Sequence, residues 1–467
     1  MSTVDKKLVH MLITLTIPAL IDYALQSAVM YADYIMVGKL GSNASATIGL
    51  TVEVNFLLKG AMMAVGIGMV SYISISMGQK LYDNVRKASI QAFFLAGMVG
   101  IILFIIAMII SPFLPVWLGA EEALRPDASA YFRIIYIPVV FNALNIILGS
   151  VLKGVGDMKT PMYVNVIMNI LNIAINFFLI YDSRPITVGG LHLNLWGAGF
   201  GVKGAAIGTA LASVIGGILM VIGVYRNSWV SLRGEKFRLD KAIIRRCITI
   251  ALPVFLCRVT TSFGRVVFTA FVTGLGTITF AAHTIAFTVE SAFYMPVVGV
   301  QTAVITLAGN SKGEGNKKKL NQLTIYSCAI TAGIMFAVGI LMILVAKPAM
   351  SIFTSDPTVI HIGARLLFIV AINEPIFGIS IIMEGIFNGT GDTRSPFLIS
   401  TATLWIVRVF GTWIAVYVLG TGIYGAWICM ILENATRSIA LMIRYYLKRD
   451  RFIISERIEL KAQETSV

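Results

Sequence analysis

Charge is what this chain has least of. Asp, Glu, Lys and Arg make up 13% of it, about half the share of a soluble domain. Acids are the scarcer sign, 23 Asp and Glu against 37 Lys and Arg. The four cysteines (Cys247, Cys257, Cys328, Cys429) stand alone in or beside apolar segments. Such isolation excludes a disulfide framework and leaves no metal-ligand spacing, so they read as small packing residues. With four His there is no H-E-x-x-H, and neither G-x-S-x-G nor a P-loop occurs. An intramembrane enzyme would need such a set, so none is expected. Without a Walker motif, energy for any transport must come from an ion gradient rather than from ATP bound to this chain. No metal and no cofactor are expected.

What fills the chain instead is apolar. Hydrophobic residues reach 57% and mean hydropathy is +0.84. Apolar segments lie near 10–37, 50–76, 90–116, 130–152, 162–181, 202–225, 247–273, 280–308, 324–346, 360–388, 396–418 and 423–446. Each exceeds a barrel strand and lacks period-2 alternation, so each predicts a membrane helix. The fold class is therefore an all-α polytopic membrane protein of about twelve spans. The first segment is too long for a signal peptide and has no cleavage pattern.

The net charge of +14 is a topology signal. One set of loops holds 25 Lys and Arg; the other holds four, Lys39, Arg125, Arg184 and Lys347. By the positive-inside rule both termini face the cytoplasm of a cell (inner) membrane. The basic loops touch anionic lipid, not nucleic acid. The stretch 226–246 reads as a cytoplasmic linker with an interfacial helix at Phe237, Leu239, Ile243 and Ile244. The stretch 182–200 reads as a Gly-rich external loop with a short hairpin, and 448–467 as a polar cytoplasmic tail.

Asp33 interrupts the first apolar run. A carboxylate at bilayer depth costs about 2.5–3.5 kcal/mol, so it marks a functional site when a partner exists. Asp22 lies in the same run, but nothing later in the sequence points to it. Amides are good neutral partners for such a carboxylate. Asn165, Asn169, Asn172 and Asn176 repeat at three- and four-residue spacing and share one helix face. Such a face must look inward. It either glues helices together or serves a carboxylate and a cation. Thr209 adds a hydroxyl from the next helix.

The chain is also duplicated. Gly156-Asp157-Met158-Lys159-Thr160-Pro161 returns as Gly391-Asp392-Thr393-Arg394-Ser395-Pro396, a shift of 391 − 156 = 235. Pro18 and Gly41 return as Pro253 and Gly276 at the same shift, 253 − 18 = 235 and 276 − 41 = 235. Gly201–Ala205 is echoed by Gly422–Ala426, with 422 − 201 = 221. Two halves of six helices follow: 1–225, the linker 226–246, and 247–447. With an even number of spans per half, the pseudo-two-fold axis runs along the membrane normal. That is the parallel-repeat plan of secondary transporters, which implies a central cleft and alternating access. Gly156-Asp157 and Gly391-Asp392 are expected as structural or gating turns.

Paired halves, Pro18, Asp33, Gly38 and Gly41 in helix 1, and G-D-x-[KR]-[ST]-P turns in both halves resemble a multidrug and toxic compound extrusion (MATE) transporter. The resemblance covers essentially the whole chain. Ala281-Ala282-His283, Val289-Glu290-Ser291 and Met295-Pro296 look most like the bacterial DinF-like branch. The resemblance implies a two-bundle fold and antiport of amphipathic organic cations against H⁺ or Na⁺. It places a coupling site at Asp33, Asn172, Asn176 and Thr209. Some members carry Asp at the place of Asn176, which leaves Asp33 as the main titratable group here. NorM-like members carry a glutamate near Thr261–Ser262 and an aspartate near Phe377; both are missing.

Embedded charges of the second half are Arg258, Arg265, Glu290, Glu374, Glu384, Arg408, Glu433 and Arg437. They form mutually neutralising salt bridges or line a cleft for organic cations. Glu53, Asn169, Glu290 and Glu374 are the second-rank cleft residues. His283 reads as a packing or hydrogen-bonding residue. Partners are hydrophobic cations and lipid, and the chain is expected to act as a monomer. The alternative reading is a lipid-linked saccharide flippase of the same superfamily, which the buried arginines keep open.

Overall fold

The computed structural model describes residues 3–188, 191–231 and 238–449. In order it runs through α1 (Thr3–Gly38), α2 (Ser42–Gly78), α3 (Tyr82–Ile110), α4 (Leu114–Trp117), α5 (Arg125–Tyr136), α6 (Val139–Gly154) and α7 (Lys159–Ile180). A hairpin of β1 (Asp182–Val188) and β2 (Leu191–Ala198) follows, then α8 (Gly201–Arg226). The second half holds α9 (Lys241–Thr273), α10 (Thr277–Phe293), α11 (Met295–Gly313), α12 (Lys317–Phe353), α13 (Pro357–Ala371), α14 (Glu374–Gly389), α15 (Arg394–Thr403), α16 (Gly411–Trp413) and α17 (Gly422–Lys448). The stretches Leu404–Phe410 and Ile414–Val418 on either side of α16 are π-helical.

Among the described residues, eight helices are long and apolar enough to cross a membrane, and three bent pairs raise the number to eleven. The 33-residue α9 covers the remaining apolar segment. The chain is a multi-pass, all-α membrane protein. Side chains such as Ile101, Ile105 and Ile109 on α3 stay exposed, as lipid-facing residues do.

The sequence implied unbroken spans at 130–152, 280–308 and 360–388. Each is broken instead: by 49° between α5 and α6, 45° between α10 and α11, and 56° between α13 and α14. The reason is proline. Pro138, Pro296 and Pro375 lie at or just past the three breaks. Proline lacks the N–H that would continue the ladder and clashes with the preceding turn, yet it starts a new helix well. A second correction concerns the linker. Ile243 and Ile244 are not part of a separate interfacial helix but open α9. Asp240 Oδ1 caps that helix by accepting from the Ala242 and Ile243 N–H groups at 2.9 and 3.2 Å. Phe237 and residues 450–467 of the tail lie outside the described residues. The expected hairpin in 182–200 is present as an antiparallel pair.

By contact the chain forms two compact units. One comprises Met1–Leu20, Val70–Leu81 and Ile248–Val467; the other comprises Ile21–Met69 and Tyr82–Cys247. Helices α1 and α2 therefore each contribute to both, and α1 divides just after Pro18. Within the first unit, Leu8 and Leu12 of α1 join a core with Val300, Leu307, Ile386 and Leu441. There Ser71 Oγ donates to the Gly389 carbonyl at 3.2 Å, and Gly309 and Gly313 leave space for Ser74 and the Ile75 carbonyl. Small residues permit this backbone approach where lipid offers no hydrophobic drive. In the second unit Val37, Ala44, Tyr131, Ile180 and Ala206 form a core.

Each unit also builds one copy of the repeated turn. Asp157 accepts from the Thr160 N–H at 3.0 Å, from Thr160 Oγ1 at 2.7 Å and from Asn227 Nδ2 at 3.1 Å. Asp392 accepts from the Ser395 N–H at 3.3 Å, Ser395 Oγ at 2.8 Å and Lys448 Nζ at 2.8 Å. Each aspartate caps one helix and ties it to the end of its half's last helix. Gly156 and Gly391 precede them at φ +87° and +79°. A Cβ on Gly156 would meet nothing within 4 Å. Gly156→Ala should therefore cost only the left-handed strain, about 1–2 kcal/mol. A modest fall in thermal stability with transport retained is the expected result; a transport defect at unchanged stability would make the turn a moving part.

Candidate functional site

The site is assembled inside the Ile21–Met69/Tyr82–Cys247 unit. Asp33 occupies the last turns of α1 and is half-buried. It faces α7, where Asn169, Asn172 and Asn176 are all buried. Asn176, 0% exposed, donates from Nδ2 to Asp33 Oδ1 at 2.8 Å. Asn172 lies one turn earlier. With its Nδ2 toward α1 it donates to Asp33 Oδ1 and Oδ2 at 3.1 and 3.3 Å, while its Oδ1 accepts from Thr209 Oγ1 at 3.2 Å. That orientation is the consistent one, because the reverse would aim an amide oxygen at a carboxylate. Asp33, Asn172, Asn176 and Thr209 are thus contiguous, on three helices.

The carboxylate is held by amide donors, and among the described residues no cation is in direct ion pair with it. Asn176 Oδ1 is buried without a hydrogen-bond partner. With Asn172 in that orientation, amide nitrogens face the carboxylate, and the neutral oxygens Asn172 Oδ1, Asn176 Oδ1 and Thr209 Oγ1 belong to the same cluster. A carboxylate can take a proton, and oxygens of this kind are ligands for a hard cation once the amides turn toward it.

One residue essential to this packing carries no polar group. Gly208 of α8 lies directly against the Asn176 amide, and a Cβ there would overlap it. The close approach of α8 to α7 continues at Gly204, whose absent Cβ leaves space for the Leu179 carbonyl. Gly208→Val should push the Asn176 amide off Asp33 and lower any activity that depends on this contact about tenfold or more, one charge-assisted hydrogen bond being about 1.5–3 kcal/mol. Surface expression should remain. Wild-type efflux by this variant would show the amide to be dispensable. The signal was present in the sequence as a small residue beside Thr209, but only the helix contact reveals its partner.

Asp22 also has partners the sequence did not show. It accepts from Asn165 Nδ2 and Gln26 Nε2, both at 2.9 Å, and lies 3.7 Å from Lys153 Nζ. Glu53 is exposed on α2.

In the other unit the embedded charges separate into two groups. Glu433 (2% exposed) accepts from Arg408 Nη2 at 2.7 Å and lies 3.6 Å from Arg437 Nε. Arg437 also donates to Ser380 Oγ and Asn434 Oδ1 at 3.2 and 3.1 Å. Arg408 projects from the π-helical stretch Leu404–Phe410, a helix form that recurs at functional sites. Glu290 and Glu374 stand beside helix breaks and remain buried. Glu290 Oε2, both Glu374 oxygens and both polar atoms of the Asn373 amide have no hydrogen-bond partner. His283 accepts from Trp427 Nε1 at 3.2 Å within an aromatic cluster. Arg258 is exposed.

The MatE family model matches residues 18–178 and again 253–414. Those stretches begin 253 − 18 = 235 residues apart, the shift of the internal repeat. The chain belongs to the MatE family. The chain spans nearly the whole length of the relatives it matches. A probable multidrug resistance protein NorM of Thermotoga maritima is 27% identical over 93% of this chain and 91% of that protein. The multidrug export protein MepA of Staphylococcus aureus is 25% identical over 90% and 89%. Among solved structures, MATE in the bent conformation superposes with a TM-score of 0.87 at 21% identity, over 98% of this chain and 99% of that one. A MOP-superfamily transporter from Pyrococcus furiosus also gives 0.87, at 22% identity, over 95% and 96%. The structural likeness establishes the fold. The family is one of multidrug efflux transporters, not enzymes.

Proposed function

We propose that this MatE chain exports amphipathic organic cations in exchange for H⁺ or Na⁺, with Asp33 as the coupling carboxylate. The observation that carries the reading is the Asp33 site: one acid facing two buried amide donors, with an unpaired amide oxygen beside it. A proton on Asp33 converts an acceptor into a donor. Asn176 Oδ1 is then available to accept, so one amide rotation answers the change in charge. Two hydrogen-bond arrangements of one site are what a coupling device needs, since an ion shifts only an equilibrium whose states it binds differently. Na⁺ held by Asp33 and the neutral oxygens is the competing coupling. An alternating-access cycle follows from the duplicated halves. The charge bias of the loops supports a cytoplasmic position for both termini. No cofactor beyond the coupling ion is required, and the chain would act as a monomer. Glu53, Asn169, Glu290 and Glu374 remain second-rank candidates for contact with the organic cation.

The flippase reading needs arginines free to meet a lipid-linked anion. The pairing of Arg408 with Glu433 counts against it. The test is efflux of ethidium from proteoliposomes under an imposed pH or Na⁺ gradient. One of the two gradients should drive it. Ethidium efflux indifferent to both, with translocation of a lipid-linked sugar instead, would replace this proposal with the flippase.

A further inference from the structure

Asp22 is 2% exposed and precedes Asp33 on α1 by 33 − 22 = 11 residues. Eleven residues are close to three turns, so the two acids share a helix face about 16 Å apart along the axis. Helix α7 repeats the spacing, because 176 − 165 = 11. Asn165 Nδ2 donates to Asp22 Oδ1 at 2.9 Å just as Asn176 Nδ2 donates to Asp33 Oδ1 at 2.8 Å. The two helices therefore carry two carboxylate–amide stations in register.

The amides beside these stations are incompletely bonded. Asn169 and Asn145 are each 7% exposed. Asn169 Nδ2 and Asn145 Oδ1 have no hydrogen-bond partner. Asn145 Nδ2 donates to Asn165 Oδ1 at 3.1 Å, which fixes it beside the Asp22 station. An unpaired donor and an unpaired acceptor at this depth call for a small polar guest. The Asp22 station also has its own cation. Lys153 Nζ is 3.7 Å from Asp22 Oδ2, and its side chain is 20% exposed. A tight charge-assisted contact is about 2.7–2.9 Å, so this pair is loose. From α1 itself, Gln26 adds an amide donor at 2.9 Å; from α7, Asn165 adds another.

We propose that Asp22 is a second station for the coupling cation, joined to Asp33 along the asparagine face of α7, and that Lys153 is a tethered ammonium that closes the station when no ion is there. This rests on Asp33 being the coupling carboxylate. A proton reaching Asp22 forms one O–H bond and cancels the charge that holds Lys153. When the ammonium returns, it favours the ionised acid and the proton leaves. Na⁺ would be displaced by the ammonium directly. Either way the guest is a monovalent cation.

The test uses the full chain in proteoliposomes with ethidium as the organic cation. An internal pH dye reads one arm after an external acid jump, and a Na⁺ dye reads the other after a Na⁺ jump. Lys153→Gln should raise ion influx without ethidium by about fivefold or more in one arm, since the closing charge is gone. The double variant Asp22→Asn/Lys153→Gln leaves no buried charge unpaired. It should show no leak and efflux ethidium at about a tenth of the wild-type rate or less. Carbodiimide should still label Asp33 in it. Wild-type tightness of Lys153→Gln in both arms overturns the proposal, as does wild-type efflux by the double variant. Should the double variant fail to insert, the leak of Lys153→Gln decides alone. Normal efflux by Asp33→Asn would instead remove the reading beneath it, whereas an inactive Asp33→Asn beside a tight Lys153→Gln defeats only the second station.

Discussion

Asp33→Asn should insert, fold and bind organic cation, yet lose efflux driven by an ion gradient. The substituted amide keeps an oxygen at 2.8 Å from Asn176 Nδ2, so the contact between α1 and α7 survives. What disappears is the charge. A hydrogen-bonded or ion-paired charge contributes up to about 3 kcal/mol here, and each 1.4 kcal/mol is about tenfold. A fall of about a hundredfold in gradient-driven ethidium efflux is expected, with thermal stability near wild type. Asp33→Glu keeps the charge but moves it by a methylene and should retain part of the activity. Full gradient-driven transport by Asp33→Asn would end the coupling role.

The largest stability effect should come from the other unit. Glu433→Gln removes the only negative charge among Arg408, Glu433 and Arg437, where Arg408 and Arg437 have side chains 14% and 17% exposed. Two arginines would then face a neutral amide. Breaking a buried ion pair from one side costs about 3–5 kcal/mol, and here two cations lose their partner together. Arg437 keeps Asn434, Ser380 and the Phe377 ring, 5.8 Å from its guanidinium carbon. Adding Arg408→Met to Glu433→Gln should thus recover more than half of the lost thermal stability in detergent. If Glu433→Gln melts like wild type, the arginines reach lipid headgroups or water and the triad contributes little.

Much of the Asp33 site could be read from the chain before any coordinates. The amides at 165, 169, 172 and 176 declare one inward helix face, and such a face is a good neutral partner for an acid. The same reading passed over Asp22. Its partners, Asn165 and Lys153, lie 143 and 131 residues away (165 − 22 and 153 − 22), and neither announces itself as a match. Lys153 is one of the 25 basic loop residues of the topology argument, where it counts only as a charge. Gly208 was equally silent, because a missing side chain matters only through the neighbour that fills its space. Proline gave a clear but unused sign: Pro138, Pro296 and Pro375 each mark a broken span.

Hydropathy, the 235-residue repeat and the spacing of polar residues determined the membrane class, the twelve segments and the amide face. Those properties are local, since a helix in lipid satisfies its backbone within the segment and its faces follow from 3.6 residues per turn. Tertiary structure decided which acid meets which amide, where α1 passes from one unit to the other, and that Glu433 lies between two arginines while the Glu374 oxygens have no hydrogen-bond partner among the described residues. Those outcomes depend on distances between helices far apart in the chain, which packing of small residues sets and no local pattern encodes.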